Sequence, residues 1–240
     1  MLKTRIIPTL LFKGVGLVKG VSFDSWRRVG TALQSIRVYN LREVDELVFL
    51  DIAATPNGER PDFQEIDELA DNCFMPMTVG GGVKSIADIR DLLAVGADKV
   101  AINTAAVETP ELIRDGAAEF GAQCIVVSID ARRDGNKLDV VSHCGRTATG
   151  RHPVEWAKQV EALGGVRAVH AQPGEPAKLV AVAGLGLLSP LADADDLLAQ
   201  PPGLGVGLTD VEEPVLVVGE AAFGLVLAHV VTPALDDRVG

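Results

Sequence analysis

Short apolar runs rich in Val and Ile alternate along residues 1–164 with longer segments whose apolar positions recur at helical spacing. The runs predict strands at Arg5–Phe12, Leu47–Ile52, Met77–Val79, Lys99–Ile102 and Ile125–Asp130. The longer segments predict helices at about Ala32–Val44, Phe63–Asn72, Ile86–Val95, Pro110–Phe120 and Val154–Leu163. LVFLDI and IVVSID are apolar until an aspartate near or at the end. That is the pattern of a parallel strand covered on both faces, with a functional residue at its C-terminal end. Residues 138–144 alternate apolar and polar just after Asp134-Gly135, which predicts a hairpin in the loop after the fifth strand. A βα series implies a parallel sheet. The expected fold class is α/β, of the (β/α)8 TIM-barrel family, with about five βα units recognisable.

The pattern changes near Gly164. From Gly165 to Gly240 there is no Ile, Met, Asn, Cys, Tyr or Trp, and Gly, Ala, Val, Leu and Pro supply 55 of 76 residues. Breakers such as Pro201-Pro202-Gly203 interrupt its apolar runs. The expected organisation is therefore βα units 1–5 over residues 1–164 and an atypical tail over 165–240. One account of the tail is a reading-frame shift in a GC-rich gene, and the alternative is a divergent C-terminal region.

Length and charge narrow the classes. The chain has 240 residues, 48% hydrophobic, and a net charge of -11. The first part carries 19 Lys+Arg against 23 Asp+Glu, the tail 3 against 10. No basic block is present, which argues against nucleic acid as the main partner. Small anions remain open, since a backbone turn binds phosphate inside an acidic protein. Cys73, Cys124 and Cys144 form no C-x-x-C pair, so a reduced, cytoplasmic protein is the simplest expectation. The N-terminus lacks the length and small-residue site of a signal peptide. Val215–Val231 is apolar but short for a span and contains Glu220, so no membrane partner is expected.

The strongest motif is Val79-Gly80-Gly81-Gly82-Val83, after a short strand and before a helix. Consecutive glycines let backbone N–H groups approach an anion closely. The same turn is also a tight strand-to-helix connection that needs no ligand. Asn103 and Thr104 follow the next strand and either complete a phosphate cup or cap the next helix. Asp51 and Asp130 end strands, where a carboxylate serves as general acid or base, orients a substrate, or caps a loop. Lys19 reaches a phosphate or is simply solvated. Arg5, Glu46 and Lys99 fall at strand N-terminal ends, as a charged ring that on its own reads as a stability device. His143 and His152 lack metal-ligand spacing and read as surface residues.

RIIPTLLFKGVGLVKG, VDELVFLDI, TVGGGV, GADKVAINTAAVETP, FGAQCIVVSIDARRDG and the segment from Gly150 to Gly164 resemble the cyclase subunit of imidazole glycerol phosphate synthase. The resemblance is continuous over residues 1–164. It implies a (β/α)8 barrel partnered by a glutaminase subunit, with ammonia entering at the bottom and meeting a bisphosphate substrate at the top. It implies no metal or organic cofactor. By position it makes Gly80, Gly81, Gly82, Asn103 and Thr104 one phosphate site and Asp130 one of two catalytic aspartates. Lys19 and Asp51 match active-site positions, and Arg5, Glu46 and Lys99 match three of four members of an ammonia gate.

Two departures bear on function. Leu11 stands where the family's other catalytic aspartate ends the first strand, and an alkyl chain cannot carry a proton. Arg167 stands at the gate's fourth position, where the family is acidic. Leu11 and the LLFKGVGLVKG segment resemble a paralogous branch serving acetamidino-sugar/O-antigen biosynthesis, with a sugar amidotransferase as a further partner. The expected function is that branch's ammonia-accepting barrel. The alternatives are the histidine-biosynthesis cyclase, and a non-catalytic conduit or inactive remnant.

Overall fold

The computed structural model describes residues 5–14, 16–21, 24–134, 137–170, 182–183, 216–220 and 226–230. The first apolar run forms two strands, β1 (Arg5–Ile6) and β2 (Thr9–Phe12). Pro8 lies between them and has no N–H to give a ladder. The carbonyls of Ile6 and Pro8 still accept from the amides of Asp45 and Val48, at 3.0 and 2.9 Å. β3 (Leu17–Val21) and β4 (Asp24–Gly30) then form an antiparallel hairpin that the sequence pattern does not announce.

The βα series follows. It comprises α1 (Ala32–Leu41), β5 (Leu47–Asp51), α2 (Ala54–Asn57), α3 (Phe63–Ala70), β6 (Met77–Gly80), α4 (Ile86–Ala94), β7 (Lys99–Ile102), α5 (Thr104–Glu108) and α6 (Glu111–Phe120). The expected strands and helices are all present, with ends moved by a few residues. α1 stops before Val44 because Glu43 takes φ +51, a left-handed residue that ends a helix. Ser85 and Asp62 cap α4 and α3, each side chain accepting a backbone N–H three residues on.

The predicted hairpin is present as β8 (Ile125–Asp134) paired with β9 (Lys137–Ser142), and β10 (Thr147–Ala148) adds to it. After α7 (Pro153–Ala162) comes β11 (Val166–His170), a sixth parallel strand beside β8 and beyond the five units read from the sequence. The parallel order is β2, β5, β6, β7, β8, β11. In the tail, β12 (Val182–Ala183), β13 (Leu216–Glu220) and β14 (Val226–Val230) pair antiparallel in sequence order from β11 round to β1. These three strands are short and antiparallel, with no βα pattern among them, whereas β11, at the start of the 165–240 segment, still continues the parallel series.

The core lies between strands and helices. Leu47, Val100, Ile125, Val127 and Ile129 on the strands are fully buried, as are Ile36, Ile89, Leu92, Ile113 and Val160 on the helices. One device recurs where strands begin. Asp45 accepts the N–H of Ile6 and Asp98 that of Met77, both at 2.7 Å. Each aspartate precedes one strand: Asp98, before β7, pins the first residue of neighbouring β6, and Asp45, before β5, holds the last residue of β1.

Candidate functional site

Strand register gathers most of the candidates at one end of the parallel sheet. Phe12 lies opposite Asp51, Leu50 opposite Gly80, Gly80 opposite Ala101 and Asp130 opposite His170. Asp51, Gly80–Gly82, Asn103, Thr104 and Asp130 therefore share the C-terminal mouth. Leu11 is partly buried one residue below that rim, opposite Leu50. Lys19 is partly buried in the β3–β4 hairpin, paired in register with Arg27.

The glycine turn is built to closer tolerance than its sequence suggests. Gly81 and Gly82 hold φ +110 and +72, and a Cβ on Gly81 would strike the carbonyl of Asp51. The Gly82 N–H donates to Thr55 Oγ1 at 3.2 Å, so the loop after β5 docks on the turn. The Lys84 ammonium ties down the same loop through the Gly58 carbonyl, at 2.9 Å. Beneath, Asp88 is buried and accepts from the Lys84 N–H, the Ser85 hydroxyl and the Arg60 guanidinium, at 3.0, 2.8 and 2.7 Å. Burial pushes the Asp88 carboxyl up. The Ser85, Arg60 and Lys84 contacts outweigh it and hold the group below the usual carboxylate range.

Asn103 does not cap α5 with its side chain. Its Nδ2 donates instead to the Ser128 carbonyl at 2.9 Å, tying the end of β7 to the interior of β8. The Thr104 hydroxyl accepts the N–H of His143 at 3.0 Å. Asp51 folds its own loop, with Oδ1 accepting from the Ala53 and Ala54 amides at 2.8 and 3.2 Å. Its carboxyl is raised by burial, against the pull of those two amides and with the charges of Glu59 and Asp62 adding to the rise.

Sequence reasoning missed Thr55, Arg60, Asp88 and Cys144 here, and it placed His143 on the surface. The His143 side chain is 40% exposed, but its amide is engaged at the mouth. Cys144 donates to the Ile52 carbonyl at 3.5 Å. Its thiol is pushed up by burial and by the charge of Asp130, with Asp51 adding and Arg146 and Lys13 opposing. No local pattern marks Thr55, Arg60 or Cys144, whose partners lie 27, 28 and 92 positions away. Asp88 does carry a local signal, since Ser85 three residues before it exchanges hydrogen bonds with it as a helix cap.

At the opposite, N-terminal end, the Lys99 ammonium is 3.0 Å from both oxygens of Glu46. The backbones of Arg5 and Arg167 sit in β1 and β11, and their side chains lie outside the described residues.

A family model described as histidine biosynthesis protein matches residues 5–172. The chain belongs to the histidine biosynthesis protein family. Two relatives from strains of Caulobacter vibrioides, both named imidazole glycerol phosphate synthase subunit HisF, are 51% identical over 162 residues. Those residues are 67% of this chain and 62% of each relative, so the chain spans about three fifths of the relatives it matches. The (β/α)8-barrel fold of the histidine biosynthesis family accounts for the alternating series and its parallel sheet. The relatives' name favours the histidine alternative over the polysaccharide branch that Leu11 had suggested. Among the described residues no helix is long and apolar enough to cross a membrane.

Proposed function

We propose that this chain is the ammonia-accepting cyclase barrel of an imidazole glycerol phosphate synthase, working in histidine biosynthesis. The supporting observation is a division of chemistry between the two ends of one parallel sheet. Two carboxylates, a glycine turn and two polar side chains share the C-terminal mouth, and the Glu46–Lys99 pair sits at the other end. The relatives' name points the same way.

In this reading a substrate phosphate lies against the turn at Gly80–Gly82 and on Asn103 and Thr104. Asp130 moves protons as general acid or base, Asp51 shapes the adjoining wall, and Lys19 reaches over the rim. Ammonia passes the gate formed by Arg5, Glu46 and Lys99. The glutaminase partner that supplies it docks at the N-terminal end. Phe74 and Leu41 there are 85% and 86% exposed, joined through bonds of Asn40 to the Phe74 amide and the Asn72 carbonyl. Exposed large apolar groups gathered at one end suit a protein contact. No metal or organic cofactor enters. Within the atypical tail over 165–240, the residues beyond the family match at 172 are read as out-of-frame translation.

Leu11 supports a second reading. Without the first-strand carboxylate, the barrel hands ammonia to a sugar amidotransferase of the acetamidino-sugar pathway and does no ring chemistry. Isotope-labelled ammonium, given with the cyclase's bisphosphate substrate, separates the two. Label in an imidazole product formed by this chain alone supports the first. Label only in a sugar, and only when an amidotransferase is added, overturns it. Label in neither marks an inactive remnant.

A further inference from the structure

We propose that the turn at His143–Cys144 is a clasp across the mouth that orients the Thr104 hydroxyl for an anion, and that Cys144 is its positioning residue. The inference rests on the phosphate reading of the Gly80–Gly82 and Asn103–Thr104 turns. His143 and Cys144 hold φ +52 and +57, a left-handed conformation that residues with a Cβ keep only where surrounding contacts over-determine it. Those contacts reach three other elements. The His143 N–H donates to Thr104 Oγ1 at 3.0 Å, at the start of α5. His143 Nε2 lies 3.5 Å from Glu108 Oε1 at the end of the same helix. Cys144 Sγ donates to the Ile52 carbonyl just past β5, and the Ile52 amide in turn donates to the Phe12 carbonyl of β2 at 3.0 Å. The turn leaves from the hairpin whose first strand carries Asp130, and Arg132 Nη1 reaches its Gly145 carbonyl at 3.4 Å.

The consequence falls on Thr104. A hydroxyl has one proton and two lone pairs. The His143 N–H occupies a lone pair, so the proton is turned away from that amide. Among the described residues it reaches Asn103 Oδ1, at 3.5 Å, too long to hold it firmly. An anion oxygen in the mouth takes the proton's hydrogen bond at little cost. Holding the turn in its left-handed shape thus presets a donor, and the Cys144 contact holds the turn.

The test is a titration of inorganic phosphate into the full chain, for wild type, Cys144→Ala, Thr104→Val and the double variant. Cys144→Ala is expected to weaken phosphate binding about three- to tenfold, the range of one net hydrogen bond. In the Thr104→Val background it is expected to have no further effect, since both changes act through one hydroxyl. Cys144→Ser, which keeps a donor, is expected to recover most of the loss. Unchanged binding in Cys144→Ala, or losses that simply add, overturns the clasp. If Gly82→Ala binds phosphate as wild type does, the phosphate reading fails and the clasp falls with it, a different result from the first two. Wild-type protein gives an independent check. Saturating phosphate is expected to slow iodoacetamide alkylation of Cys144 severalfold relative to Cys73 and Cys124, because coupling between sites is reciprocal. Equal rates with and without phosphate contradict the proposal.

Discussion

Gly81 carries two constraints at once, a φ of +110 and a contact with the Asp51 carbonyl that leaves no room for a methyl group. Gly81→Ala is expected to cost at least about 1–2 kcal/mol from the backbone alone, read as a lower urea midpoint. Asp88 beneath the turn gives a pH signature. Its folded carboxyl is held below the ordinary value, so its contribution is complete above about pH 4 and is lost as pH falls below that. Wild type is therefore expected to lose stability more steeply than Asp88→Asn as pH falls below about 4, measured by urea midpoint against pH. The glycine triplet and the strand-ending aspartates were legible because each is a local signal. Thr55, His143 and Cys144 were not, since contacts spanning 27, 39 and 92 residues leave no trace in a short window.

At the scale of elements, Val/Ile runs and helical periodicity placed the parallel strands and main helices close to their observed ends. The misses have physical causes. Pro8 splits the first run, and the β3–β4 hairpin lies in a Gly- and Val-rich stretch without clean alternation. α2 and α5, of four and five residues, are too short to show a period. The sixth strand, VRAVH, follows two glycines that read as the end of order. Between elements, the Lys99–Glu46 pair joins the starts of β7 and β5 across the N-terminal end. Lys99→Met removes the ammonium from a Glu46 side chain only 10% exposed. The expected cost is about 1–3 kcal/mol, checked by thermal melting, with Lys99→Arg expected to keep most of the stability.

At the scale of the whole molecule, the two ends of the sheet are chemically distinct, with the proposed chemistry at one and exposed Phe74 and Leu41 at the other. The family match ends at residue 172, close to where the composition changes. If the tail is out-of-frame translation, re-sequencing the coding DNA across codons 155–175 is expected to reveal a second frame encoding further βα units. A single open frame without them makes the tail a divergent region. The barrel's proposed chemistry turns on one position. The decisive measurement is ammonia-dependent turnover of the cyclase's bisphosphate substrate by wild type and by Leu11→Asp. A cyclase mouth lacking one carboxylate is expected to gain about 10²- to 10⁴-fold when that group is restored. An unchanged rate in a folded Leu11→Asp protein contradicts the assignment of this mouth as a cyclase site.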